Sequence, residues 1–201
     1  MLDLKFKGQT SPGYCTSDLD IVPKVVGCIP EVHIVDKASS FGVLPQINSD
    51  GAWRHEEGIG GFGAVFRDYK GHFVGAFASN IDIPSSVAAE VMAVITAIEL
   101  AWVRDWKHVW LEINSSTVLD YIRTPSLVPW QLRVRWLNCL YRISTMTFKS
   151  SHIFREGNRV ADALANHGTS LSEQIWWDVP PLFILSYYER DFLGMPNFRL
   201  R

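Results

Sequence analysis

The chain has 201 residues, enough for one ordinary domain with flanking segments and too few for two full enzyme domains. Nineteen basic and 21 acidic residues leave a formal charge of −2, so no global basic field marks it for nucleic acid. With 47% hydrophobic residues, eight Trp and eleven Phe, the composition excludes a disordered chain.

Residues 1–44 show little periodicity and carry turn formers at Pro12-Gly13, Gly27, Pro30 and Ser39-Ser40, which predicts an extended, poorly ordered leader. The opening MLDLKFKGQT has no apolar run behind its charges, so it does not read as a secretory signal. The longest run without Asp, Glu, Lys or Arg is Ala38 to Ser49, 12 residues. Roughly 18 or more are needed to span a bilayer, and no membrane partner is expected. Cys15, Cys28 and Cys139 are odd in number and widely spaced, which gives neither a disulfide framework nor a zinc site. The expected setting is intracellular, nucleus or cytoplasm, and not secreted.

From Pro45 the pattern becomes dense. Residues 46–50 (QINSD) read as a short strand closed by Gly51. Residues 59–67 (IGGFGAVFR) and 72–81 (HFVGAFASNI) read as two more, joined by an Asp68–Gly71 hairpin turn. A helix capped by Ser85 or Ser86 follows, with Val87, Val91, Val94, Ile98 and Ala101 at helical spacing. Residues 108–113 (HVWLEI) alternate as a strand, and Ser115 or Ser116 starts a short helix through Ile122. Beyond the Pro125–Pro129 break, a longer helix is expected to place Trp130, Val134, Leu137 and Tyr141 on one face. Gln131, Arg135, Asn138 and Arg142 would form a polar stripe beside it. Residues 147–154 make a last strand and 160–166 a last helix, with 45–170 as the domain and 171–201 as an extension packed on it. Three successive strands followed by helix-linked strands imply an α/β fold, a mixed sheet covered by helices.

Four polar residues fall at or near element ends: Asp50, Glu90, Asn114 and Asp162. If the first and fourth strands are neighbours, their ends converge at one rim. Glu90 interrupts an otherwise apolar helix, where an uncompensated carboxylate is expensive. Mg²⁺ (or Mn²⁺) would supply the counter-charge, and Mg²⁺ prefers oxygen ligands. Other readings stay open: an Asp before Gly is commonly a turn residue, and acids near helix starts also serve the macrodipole. His152, ten residues before Asp162, could shuttle protons or be an ordinary surface histidine. Asn158 is most simply an N-cap.

The segments NSDGA (48–52), GIGGFGAVFRD (58–68), AAEVMAVITAIELAW (88–102), WLEINSS (110–116) and REGNRVADALAN (155–166) resemble the ribonuclease H domain of plant LINE-type (non-LTR) retroelements. WWDVPPLFI (176–184) and GMPNFR (194–199) resemble its usual ending. The resemblance implies a ribonuclease H-like fold with a five-stranded mixed sheet flanked by helices. It also implies endonucleolytic hydrolysis of the RNA strand of an RNA–DNA hybrid by two Mg²⁺ ions. The family's four acidic metal positions fall on Asp50, Glu90, Asn114 and Asp162, and the third is an amide here. Glu112, two residues away and so about 7 Å off, is too far to replace the missing charge. One charge contact at roughly 4 Å is worth about 4 kcal/mol at an effective dielectric near 20, and each ~1.4 kcal/mol is tenfold in rate. Impaired hydrolysis is therefore expected, and the alternative is a non-catalytic nucleic-acid-binding or protein-interaction module.

Charge is uneven along the chain. Residues 128–160 hold six basic side chains against one acidic, whereas residues 81–120 hold two against six. Arg135, Arg142, Arg155, Asn158 and Arg159 are thus the expected contacts to a hybrid or other nucleic acid, read through backbone shape and not base sequence. For Arg135 and Arg142 an ordinary solvated helix face is an equal reading. Oligomeric state is not legible.

Overall fold

The computed structural model describes residues 45–195; the leader expected over 1–44 lies outside the described residues. Strands β1 (Gln46–Arg54), β2 (Ile59–Arg67) and β3 (Phe73–Ile81) form an antiparallel meander. In the β2–β3 turn Gly71 takes φ +83°, and the Asp68 carboxylate accepts the Lys70 and His72 amide N–H groups. That is the Asx-type chemistry the Asp68–Gly71 signal rests on. β1 is longer than expected. Asp50 sits mid-strand opposite Gly63 and does not close it, because Gly51 continues the ladder opposite Phe62.

Helix α1 (Ser86–Val103) starts where Ser85 Oγ accepts the Ala88 N–H at 3.3 Å. It carries the chain across the sheet, so β4 (His108–Ile113) lands parallel to β1, with Ser49 opposite Ile113. Helix α2 (Ser116–Arg123), two single 3₁₀ turns and helix α3 (Arg133–Ser144) lead to β5 (Thr147–His152), parallel to β4. Helix α4 (Arg159–Gly168), β6 (Ile175–Trp177) and helix α5 (Leu182–Phe192) complete the described chain.

The sheet order is β5-β4-β1-β2-β3-β6, six strands and not the five the resemblance implies. β6 is only three residues long, too short to show a period in sequence, and it covers the free edge of β3 antiparallel. Trp176 holds it there: its ring lies 5.3 Å from that of Phe66 and fills the space a side chain at Gly75 would need.

One sheet face packs on α1, α2 and α3 through Ile47, Phe66, Phe77, Ile98, Leu111 and Trp136. The other packs on α4 and α5 through Val65, Ala76, Ala78, Val160, Leu164 and Ile184. α1 is by composition long and apolar enough to cross a membrane, but here its apolar positions are spent on the first of these cores. The face expected for α3 is buried only at Leu137. Trp130, Val134 and Tyr141 are 77%, 54% and 60% exposed, and the buried stripe is Trp136, Leu137, Cys139, Leu140 and Ile143. Two apolar stripes compete on this helix, and what lies opposite decides: Trp136, Cys139, Leu140 and Ile143 join the cluster formed by α1 and the sheet. Trp136 also finds a partner for its indole N–H at the Tyr121 carbonyl, 3.1 Å away.

Gly51 sets the height of α1 over the sheet. A Cβ there would lie 2.3 Å from the Glu90 nitrogen and 2.4 Å from the Ala89 carbonyl carbon, both backbone atoms that cannot swing aside. Gly51→Ala is expected to cost about 1–3 kcal/mol by overpacking, read as a lower urea midpoint at unchanged slope. An unchanged midpoint would contradict this contact.

Candidate functional site

Parallel pairing of β1 and β4 brings Asp50 and Asn114 to the same level, each one residue beyond the Ser49–Ile113 pair. Asp50 is buried at 3% exposure, and its Oδ1 accepts the Gly51 N–H at 2.9 Å. Because α1 lies directly on Gly51, Glu90 enters the same space from above. Asn158, fully buried before α4, donates its amide to the Ser49 carbonyl at 2.9 Å and to Asn114 Oδ1 at 3.3 Å. Its carbonyl accepts the Asp162 N–H, so the clamp that ties α4 to β1 and β4 also sets Asp162 one turn in. Asn158 occupies the N-cap position, but its side chain caps nothing.

These carboxyls feel one another. Burial, then the charge of Asp162, pushes the Asp50 carboxyl up to about 7, against the pull of the Gly51 N–H, Arg155 and Asn114. Burial, then Asp50, pushes Glu90 up to about 8, with Arg155 opposing. Arg155 is the shared cation: its guanidinium lies 3.0 Å from Asp162 Oδ1 and also interacts with Asp50 and Glu90. The Asn114 side chain hydrogen-bonds Asp50 while its oxygen accepts from Asn158. The face it turns to Asp50 is therefore its N–H₂. His152 ends β5 on the exposed rim, its Nε2 at 3.2 Å from the Asn114 carbonyl oxygen and its ring edge-on to Phe154.

Asp50, Glu90, Asn114, Asp162 and His152 thus converge from five elements or their ends. They do not form an ion cage: among the described residues no three Asp, Glu, His or Cys side chains are arranged to hold one metal. Asp162 is turned onto Arg155, since three neighbouring carboxyls repel and the guanidinium supplies the compensating charge.

The expected nucleic-acid contacts divide. Arg155 and Arg159 are exposed beside Asp162, and Arg159 lies over the Tyr187 ring. Asn158 is 1% exposed and committed inside the protein, so it offers no such surface. Arg142 is bound to Glu99 of α1 at 3.0 Å and stands over Trp102, so it is part of the α1–α3 contact. Arg135 is exposed near Met92. Gln131, Arg135 and Asn138 of the polar stripe stay exposed, and Arg142 is drawn onto α1.

Sequence reasoning missed the network under Glu112. Glu112 accepts from Gln46 Nε2 at 2.5 Å and Asn48 Nδ2 at 3.0 Å, Asn48 Oδ1 accepts from Arg67 at 2.6 Å, and Arg67 pairs with Asp191 of α5 at 3.2 Å. So Glu112 is held away from Asp50 and cannot make up for Asn114. The signal was a lone Arg closing the apolar strand 59–67, which is 7% exposed.

Comparison with known proteins places this geometry. A family profile described as reverse transcriptase-like matches residues 48–168. An Arabidopsis thaliana protein that carries the provisional name of a ribonuclease H protein is 32% identical over 152 residues, 74% of this chain. The chain spans only 24% of that relative's length. The crystal structure of ribonuclease H1 from Halobacterium salinarum superposes with TM-score 0.55 at 25% identity, covering 62% of this chain and 96% of that one. A ribonuclease H1 isolated from compost, solved with an RNA/DNA hybrid, gives TM-score 0.55 at 26% identity with the same coverage.

Asp50 and Glu90 keep their protons in the fold to about pH 7 and 8 but lose them near 4 when unfolded. The folded state then binds more protons, so without divalent ions stability is full below about pH 4 and falls as pH rises toward 8. Asp50→Asn should flatten that fall, measured as melting temperature from pH 4.5 to 8.5. A wild-type curve already flat over this range would show that these carboxyls are not protonated.

Proposed function

Since the chain belongs to the reverse transcriptase-like family, whose profile spans more than half of it, we propose that the domain is a ribonuclease H-type endonuclease. It acts on the RNA strand of RNA–DNA hybrids, with hydrolysis curtailed by Asn114. The observation that carries this reading is the meeting of Asp50, Glu90 and Asp162, from a strand and two separate helices, with the first two driven toward neutrality by burial and mutual repulsion. A structural role alone rarely warrants that cost, and a hard divalent cation removes it.

The donor set fits one such cation and argues against a full second site. Asp50, Glu90 and Asp162 offer carboxylate oxygens, and Asp162 needs only to leave the exposed Arg155. Asn114 turns its N–H₂ toward Asp50 and its oxygen toward Asn158, so it adds no charge, and its oxygen is a neutral ligand already shared with a hydrogen bond. When bound, Mg²⁺ would supply positive charge and Lewis acidity at a phosphodiester. Asp50, shared between its neighbours, orients the site through the Gly51 N–H. His152, exposed beside Asn114, is placed to carry a proton between solvent and the rim. Arg155 and Arg159, both exposed beside Asp162, are placed to meet substrate phosphates.

The same observations favour a second reading in one respect: with Asn114 and Arg155 as they stand, the rim is closer to neutral than a full set of four carboxylates. That is the reading of a hybrid-binding module that keeps the fold without turnover. The motif runs DGA and REGNRVAD support an origin in a plant LINE-type retroelement.

Binding of Mg²⁺ must displace protons from Asp50 and Glu90, so its affinity should rise between pH 6.5 and 8.5, with proton release measurable by calorimetry in two buffers. In a hybrid-cleavage assay with Mg²⁺, Asp50→Asn should abolish activity, and Asn114→Asp should raise it tenfold or more. Without divalent ions, Asn114→Asp should instead lower the melting temperature, because it adds a fourth like charge. Wild-type turnover equal to that of Asn114→Asp would refute the impairment, and no cleavage by either would favour the binding module.

A further inference from the structure

Beyond Asp162 the surface continues into a trough made partly by α5, which lies outside the stretch matched by the family profile. Its first cleft, of ≈ 460 Å³, lies between Phe154, Arg155, Glu156, Arg159 and Asp162. A second, of ≈ 530 Å³, shares Arg159 and Asp162 and runs on past Arg54, Asn166, Phe183 and Tyr187. Each is of the size that ligand clefts occupy, roughly 300–1,000 Å³.

Cations and rings alternate along it. Phe154 is 77% exposed beside Arg155, Arg159 covers Tyr187 at 5.6 Å, and Phe183 stacks on His167 at 4.2 Å with Trp177 edge-on behind it. The ring of Phe183 is 37% exposed although Ile184, the next residue, is the buried anchor of α5. Arg54, at the far wall, has the exposed Glu57 as its one ion-pair partner among the described residues, 3.3 Å away. Asp162 is an acid shared by both walls, and Arg155 already neutralises it.

We propose that this trough binds a single-stranded stretch of nucleic acid continuing from the duplex at the carboxylate rim. Arg159 and Arg54 take phosphates, and Phe183 and Tyr187 give bases a stacking platform. A groove of alternating cations and aromatic rings suits single strands, because every base has a face to stack and every linkage a charge, whatever the sequence. A blunt duplex cannot use the platform, since its bases are stacked on one another. The site depends on α5, so it would distinguish this chain from domains that end at α4. The proposal rests on the reading of a hybrid at the rim.

The test is fluorescence anisotropy on the full chain without divalent ions. It compares a blunt RNA–DNA hybrid with the same hybrid bearing a single-stranded RNA overhang of about six nucleotides, placed 5′ in one probe and 3′ in another. Stacked bases commonly contribute about fivefold or more each to affinity, so one overhang polarity should bind at least fivefold tighter than the blunt hybrid. Phe183→Ala with Tyr187→Ala should erase that gain and leave blunt affinity as it was. Arg54→Glu, at a solvent-exposed position where folding is not at stake, should cut the gain and lower the salt dependence of overhang binding. Equal affinity for blunt and overhanging probes, or an equal loss on both in the variants, overturns the proposal. Hydrolysis does not enter: an overhang preference with no cleavage by either the wild type or Asn114→Asp refutes the nuclease reading alone, and cleavage without the preference refutes this one alone.

Discussion

A strand carboxyl and a helix carboxyl share one buried space because nothing projects from Gly51 to hold the helix off. With the Ala89–Glu90 backbone resting on that residue, Glu90 is brought up to the buried Asp50 and is itself only partly open to water. Everything else at the rim answers this crowding. Protons stay on both groups toward neutral pH, Asn114 offers an amide N–H₂, and Arg155 reaches over from the next element to neutralise Asp162. A site under such strain is tuned for positive charge, and the guanidinium is the positive charge the chain itself provides.

The far side of the sheet is built to hold that arrangement still. The Asn158 clamp joins the ends of β1 and β4 to the start of α4, so three chain segments far apart in sequence move as one. Behind it, the chain Glu112–Asn48–Arg67–Asp191 ties the same strands to α5, and the Tyr188 hydroxyl accepts the Phe73 N–H while donating to the Gly71 carbonyl. Buried polar networks are favourable when their members are paired, and the links from Glu112 to Asp191 are, whereas the clamp leaves Asn158 Oδ1 and the neighbouring Ser49 Oγ without a partner. β6 and α5 are therefore structural parts of the domain as well as the wall of the trough.

Much was legible in the residues. The second and third strands of the meander, the Asp68–Gly71 turn, the Ser85 cap and the alternation of 108–113 all emerge within a residue or two of where pattern and turn chemistry put them, while the first strand runs four residues past its expected end. The likeness to the ribonuclease H domain singled out Asp50, Glu90, Asn114 and Asp162, and in the fold Asp50 interacts with each of the other three. The misses share a cause. The buried stripe of α3 was chosen between two apolar faces by what lay opposite. Arg142 went to Glu99, and β6 is too short to carry a period. Asn158 looked like a cap or a phosphate contact until two other strands supplied its acceptors.

Element type and the identity of the acidic rim are local properties, set by hydrophobic period, turn residues and short motifs, and the amino-acid order determines them alone. Which carboxyl keeps its proton, which arginine is already taken and which face of a helix turns inward are properties of neighbours brought from far along the chain. Desolvation and charge pairing act over a few ångströms of space, whatever the separation in sequence, so only the folded structure decides them.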